Sequence, residues 1–489
     1  MTTQIPFSSH GSTHQQHAFT GLNAREREGL VLHSRRNMLK VGMAGLAGLT
    51  LPDLLRLRAE AAQSNRPMNS RKSVVLLWMA GGPSHIDTWD PKPERPYINR
   101  GPFGVAQTSL PGVIISEHLP KQAAMMDKFT LIRSVDCRFS NHEPNTVMQT
   151  ANLDAEARTN PKARMYPSIA SLVAKFRGPN DPSMPPYVAF QKSAGHLAYG
   201  GYLGKGYDPF IANMAVDLPV YTDVGVDTGT TTGASLFNFA QGLSHDRIQN
   251  RQTLLKDFDR LRSEIDGSGS MESLDTYSQQ AVDLVVGGKA RDAFDISQES
   301  DETRAKYGKH LWLQQCLLAR RLVEAGTNFV TIDLSYHAAS GTWDTHGDNI
   351  PPYGGIRNGL GPLLPLFDHL ITTLVGDLDE RGLLDECLVI AMGEFGRSPN
   401  MGTQDSVDGR NHWPVVMSIA LAGGGMRHGQ VIGSSEYDGG TIASRPVTPG
   451  DLAATIYRHM EVPVDGFYLD PRGRPNPIVN QGHPIAELF

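Results

Sequence analysis

Beyond residue 70, uninterrupted apolar runs stopped by glycine, proline or a polar cluster set the pattern of this chain. Ser73-Val74-Val75-Leu76-Leu77-Trp78-Met79 is the first run, and Gly81-Gly82-Pro83 ends it. A strand that is apolar on both sides suits the middle of a parallel sheet, because a half-exposed strand would alternate. Residues 129–135, 327–332, 387–392 and 415–421 repeat the pattern and predict four more strands. Between them the apolar period changes. Residues 311–325 carry apolar side chains at helical spacing and stop at Gly326, a natural C-cap, and 360–378 form a long amphipathic stretch ending near Gly382. Strands alternating with long helices predict an α/β fold with a mainly parallel central sheet and helices on both faces. Residues 235–298 differ: charged, without strand-like runs and broken by Gly267-Ser268-Gly269-Ser270, they read as a helical insertion or cap.

The N-terminal portion has its own grammar. Residues 1 to about 33 are polar and lack an apolar period, which predicts a disordered extension. Ser34-Arg35-Arg36-Asn37-Met38-Leu39-Lys40 then stands before an uncharged apolar segment, 41–51, and Ala59-Glu60-Ala61 follows as a signal-peptidase site. That order predicts a twin-arginine export signal over 1–61. A single domain over 62–489 would follow it, periplasmic or secreted after passage through the twin-arginine translocase. The apolar segment is shorter than the roughly 20 residues a bilayer span needs, so no stable membrane span is expected.

Composition narrows the classes of partner. A net charge of −6 over 489 residues leaves no basic footprint for nucleic acid and no polybasic membrane patch. Hydrophobic residues at 39% supply an ample core. Three cysteines without a C-x-x-C spacing exclude both a disulfide scaffold and a thiolate zinc site.

Polar clusters follow the predicted strands, where open α/β sheets build their sites. His85 and Asp87 follow the first strand; Ser140, Asn141 and His142 follow the second; Asp344 and His346 follow the third; Glu394 and Arg397 follow the fourth; Arg410 and His412 precede the fifth. Carboxylates and imidazoles without thiolates are the ligand set of a hydrolytic divalent site, zinc foremost, with Mn, Ca or Mg as alternatives. Asp-x-His spacing lets both side chains face one ion, and His85/Asp87 and Asp344/His346 both have it. Glu394 and His412 can complete one or two ions. Two metals about 4 Å apart would clamp the attacking and leaving oxygens of a phosphate or sulfate ester. Arg397 and Arg410 are candidates to hold an anionic group bidentately; the alternative is an internal salt bridge to the site carboxylates. Phosphate-binding loop, dinucleotide fingerprint, H-E-x-x-H and G-x-S-x-G nucleophile elbow are all missing from the sequence.

Trp343-Asp344-Thr345-His346, Glu394-Phe395-Gly396-Arg397-Ser398-Pro399, Gly409-Arg410-Asn411-His412 and Ala422-Gly423-Gly424-Gly425 together resemble a bacterial family of exported proteins, the domain of unknown function 1501. Gly81-Gly82-Pro83-Ser84-His85-Ile86-Asp87 and residues 319–326 fit it as well, so the resemblance covers the whole mature chain. That family is similar in turn to the alkaline-phosphatase-like superfamily of phosphatases, sulfatases and phosphomutases, whose members hold one or two divalent metals with Asp and His at strand ends. The resemblance implies metal ligands at Asp344, His346, Glu394 and His412. It implies a nucleophile at Ser140 or Thr146, with His142 the third candidate catalytic residue. Where the superfamily has Asp-His-Gly, this chain has Glu394-Phe395-Gly396, so a phenyl ring replaces one imidazole ligand.

The expectation is an exported metal-dependent hydrolase acting on a sulfate or phosphate ester of a small molecule or saccharide. The alternative is a non-catalytic binding protein on the same fold, with a degenerate metal site.

Overall fold

The structure, a computed structural model, describes residues 70–489 apart from 143–145, 223–225, 234–287, 336–341, 348–353 and 403–404. The segment expected to be an export signal, 1–61, and most of the expected helical insertion, 235–298, lie outside the described residues. The insertion's final part forms a helix, Gly288–Phe294, and a 3-10 turn, Ile296–Gln298.

Eight strands make the central sheet: β1 (Ser73–Trp78), β2 (Phe129–Val135), β3 (Tyr187–Phe190), β4 (Phe210–Ile211), β5 (Phe329–Asp333), β6 (Cys387–Met392), β7 (Met417–Gly423) and β8 (Gln430–Ile432). Their order across the sheet is β8-β2-β7-β6-β1-β5-β3-β4, with β1 at the centre between β6 and β5. All are parallel except β7, which runs antiparallel to both neighbours, β6 and β2. The reversal has a functional consequence. The beginning of β7, not its end, lies at the edge where the other strands finish, so the residues preceding it join those that follow β1, β2, β5 and β6.

The both-sided apolarity of β1 is explained by its two neighbouring layers. Val75, Leu77 and Met79 belong to one apolar cluster, with Leu317 and Leu322 of α3 (Leu311–Ala325) and Phe367 and Leu374 of α4 (Gly361–Glu380). Val74, Leu76 and Trp78 belong to the other, with Leu172 and Val173 of α2 (Ile169–Arg177) and Leu452 and Ile456 of α5 (Pro449–His459). A fully buried Val or Leu contributes about 1.5–3 kcal/mol relative to exposure, which makes the central strand costly to disturb. Among the described residues one helical stretch, Ile356–Glu380, is long and apolar enough to cross a membrane. Much of it packs within the first cluster.

Strands β3, β4 and β8 and the helix α5 extend the predicted set. The predicted third and fifth strands are each displaced by about two residues, to Phe329–Asp333 and Met417–Gly423.

Candidate metal centre

Three chain segments converge at the sheet edge: the loop after β2, the loop after β5 and the approach to β7. His142 comes from the first, Asp344 and His346 from the second, His412 from the third. One ligand atom each of His142, Asp344 and His412 lies within 4.8 Å of the other two, close enough to hold a single ion. The Nε2 atoms of His142 and His412 face each other at 2.6 Å. His142 Nε2 is 3.2 Å from Asp344 Oδ2, and His412 Nε2 is 3.8 Å from Asp344 Oδ1. His346 Nδ1 also contacts Asp344 Oδ1.

The loop bearing Asp344 is clamped by backbone on two sides. Gly81 turns at φ +117° after β1, and a side chain there would collide with the Asp344 nitrogen. Trp343 N–H donates to Ala80 O, and Arg410 N–H donates to Thr345 O. Gly409 packs on His346 so closely that no Cβ fits. Glycines at the turns are therefore what allow three loops to meet.

Behind the imidazoles stands Glu394, fully buried. It accepts from Gly81 N–H at 2.8 Å and from His142 Nδ1–H at 2.7 Å. Arg397, also fully buried, pairs with Asp344 Oδ1 at 2.6 Å and donates to the carbonyls of Gly81, Gly82 and Arg410. Phe395 is buried with its ring centroid 4.8 Å from both the His142 and the His412 rings, and it walls the site on one side.

The charges settle how protons are shared. Burial alone would raise the pKa of Asp344, but Arg397 and the imidazoles of His142, His346 and His412 hold it well below the usual carboxylate range. Burial works against a charged His142, yet Asp344 and Glu394 outweigh it and raise its pKa. Burial lowers that of His412 to about 4 despite Asp344, and the nearby charges of Arg397 and His142 add to the shift. His142 is accordingly the stronger base of the facing pair.

Other expected site residues are placed elsewhere. His85 Nε2–H donates to Gly439 O at 2.8 Å, and its Nδ1 lies against Gly396 without a hydrogen-bond partner. Asp87 accepts from Ser84 Oγ at 2.5 Å and from Arg410 Nε at 2.6 Å, a pair with no solvent exposure. The Asp-x-His spacing of this first cluster therefore does not bring it to the His142–Asp344–His412 group, because Arg410 claims the carboxylate. Both arginines take the internal-pair alternative. Arg410 donates to Asp87 and to the carbonyls of Asn99, Ser398 and Pro399, which leaves none of its N–H groups for an anionic ligand.

Of the nucleophile candidates, Thr146 opens α1 (Thr146–Thr150) and donates from Oγ1 to Ala155 O at 2.6 Å. Ser140 is buried, and its Oγ has no hydrogen-bond partner among the described residues. It follows Phe139, whose φ of +70° is strained for a non-glycine residue. Cys137, nearby, is no competitor, since burial pushes its thiol up to about 12.

His142 stood in the sequence as a catalytic candidate, not as a ligand, and its place at the centre of the cluster was not legible. A second buried group escaped notice altogether. Asp333, the last residue of β5, accepts from His196 Nδ1–H at 2.9 Å and from Ser335 Oγ–H at 2.8 Å. An acidic residue closing an apolar strand was the available signal.

No curated protein matches this chain in sequence. Among solved structures, Ps i-CgsB is 11% identical over 80% of this chain and 72% of its own, with a TM-score of 0.36. The PsFucS1 sulfatase from Pseudoalteromonas sp. is 12% identical, covering 84% and 70%, also with a TM-score of 0.36. The lipoteichoic acid synthase LtaP from Listeria monocytogenes is 9% identical, covering 81% and 73%, with a TM-score of 0.30. The model of the family described as protein of unknown function (DUF1501) matches residues 71–489, and the chain belongs to that family.

Proposed function

We propose that this protein is an exported, metal-dependent hydrolase that cleaves a sulfate or phosphate ester. The observation that carries the reading is the convergence of His142 Nε2, His412 Nε2 and an Asp344 oxygen on one point. Asp344 Oδ2 is buried without a hydrogen-bond partner among the described residues, although His142 Nε2 approaches it. A carboxylate oxygen left bare beside two facing imidazole nitrogens fits a divalent cation, and a nitrogen-rich set of three fits zinc first. When bound, such an ion supplies Lewis acidity to an ester oxygen and lowers the pKa of an attacking hydroxyl or water.

The chain's own groups have separate tasks around it. Asp344 stays ionised beside Arg397, so it offers charge to the ion at any physiological pH. His346 fixes the same carboxylate from outside. Ser140 offers a hydroxyl on the loop after β2 that no described group engages. Arg397, fully buried and paired with Asp344, holds that carboxylate in place.

One observation favours the second reading, a non-catalytic binding protein. The ring of Phe395 closes one side of the cluster, at the position where the motif resemblance implies an imidazole ligand. The deciding experiment is metal analysis of the purified mature protein, followed by a screen of aryl phosphates, phosphodiesters and sulfates with Zn, Mn, Ca and Mg in turn. Bound metal with turnover of one ester class supports the hydrolase. Bound metal without turnover supports the binding protein.

A further inference from the structure

Resting on the metal reading, we propose that Glu394 is not a ligand but a positioning residue, which acts through His142 from its far side. The two nitrogens of an imidazole lie on diverging edges of the ring. Glu394 Oε1 takes the Nδ1 edge at 2.7 Å, so Nε2 is directed away from it, toward Asp344 and His412. Glu394 is absent from the group whose ligand atoms all lie within 4.8 Å, although its carboxylate is fully buried next to that group.

A carboxylate that accepts Nδ1–H fixes the tautomer that leaves Nε2 bare and makes that nitrogen a better donor. The same Oε1 also accepts Gly81 N–H at 2.8 Å. Gly81 is the residue whose turn abuts the Asp344 backbone. One carboxylate oxygen therefore ties the orientation of the His142 ring to the loop that carries Asp344. The other oxygen, Oε2, is buried without a hydrogen-bond partner among the described residues, and it is the atom that a direct metal bond would have to use.

The test uses the mature chain and its E394Q, E394A and H412A variants, with Co(II) as spectroscopic probe and zinc affinity measured by chelator competition. A glutamine can still accept from Nδ1–H and Gly81 N–H. E394Q is therefore expected to keep the Co(II) visible spectrum of the parent, with zinc affinity lowered by no more than about 10-fold. E394A is expected to lose about 10–100-fold in affinity. H412A should lose the spectrum itself. A Co(II) spectrum altered in E394Q as in H412A would show a lost ligand and overturn the proposal, as would unchanged zinc affinity in E394A. A parent protein that takes up neither ion overturns the metal reading instead. In that event the Nδ1–H resonance of His142, expected in the metal-free parent and absent in E394A, still reports whether Glu394 holds the ring.

Discussion

His142 and His412 meet nitrogen to nitrogen, Nε2 to Nε2 at 2.6 Å, although 270 residues separate them in the chain. Two imidazoles in that arrangement can share one proton or one cation. The choice between them is open to measurement, because a cation must displace the proton.

Replacing His412 with Ala should therefore abolish stoichiometric metal binding and any ester hydrolysis together. A site reduced from three ligands to two leaves the ion under-coordinated. Equilibrium dialysis against Zn gives the answer. A His412→Ala protein that still holds one tightly bound ion would remove this cluster from consideration.

Gly81→Ala tests the clamp. The added Cβ would stand 2.4 Å from the Asp344 nitrogen, and φ is +117°. The conformation alone costs about 1–2 kcal/mol in an L-residue, and the collision adds a displacement of the Asp344 loop. Expected are a lower unfolding temperature and zinc affinity weakened at least about tenfold, by the Asp344 displacement. Affinity equal to that of the parent would mean the loop is not held from this side.

Asp87→Ala should behave in the opposite way. It strips the partner from a guanidinium with no exposure, which costs about 3–5 kcal/mol in comparable buried pairs. Stability measured in urea should fall by that order, while metal stoichiometry stays that of the parent. A loss of stoichiometry without a loss of stability would restore Asp87 as a ligand.

Acid should destabilise the fold through its neutral buried histidines. Burial lowers His459 from 6.5 to about 4, and its Nε2–H donates to Ser73 O at the start of β1. The folded state keeps this ring neutral while the unfolded chain binds a proton. Its contribution to instability is therefore absent above pH 6.5 and grows as pH falls toward 4. For this one residue it reaches on the order of 3 kcal/mol. His459→Gln should flatten the decline in urea midpoint between pH 7 and pH 4.5. An unchanged slope would assign the acid sensitivity to other groups.

Export is tested by exchanging Arg35 and Arg36 together for Lys. The order of Ser34-Arg35-Arg36, apolar segment and Ala59-Glu60-Ala61 predicts that the precursor then stays in the cytoplasm. Normal fractionation of the double variant would reject the twin-arginine route.

Much of the frame was legible because long apolar runs leave few alternatives. Phe129–Val135 and Cys387–Met392 are strands at the predicted residues. Among the strands that escaped, Phe210–Ile211 and Gln430–Ile432 are two or three residues long and cannot display a period, and Tyr187–Phe190 adds only four. Helix α5 was within reach: Thr448 and Asp451 form a capping box at its first turn. The site was legible by residue type and edge but not by role. Asp344, His346 and His412 do meet, whereas Asp87 has the same spacing to a histidine and meets Arg410 instead. Spacing says which side chains share a loop. Which partner arrives from 323 residues away is decided by the sheet.

That dependence makes the cluster a certificate of completed folding. Its members arrive after β2, after β5 and ahead of the reversed β7, so no product of synthesis that ends before His412 can assemble it. Ion content of a preparation would then count the molecules in which these three segments have met.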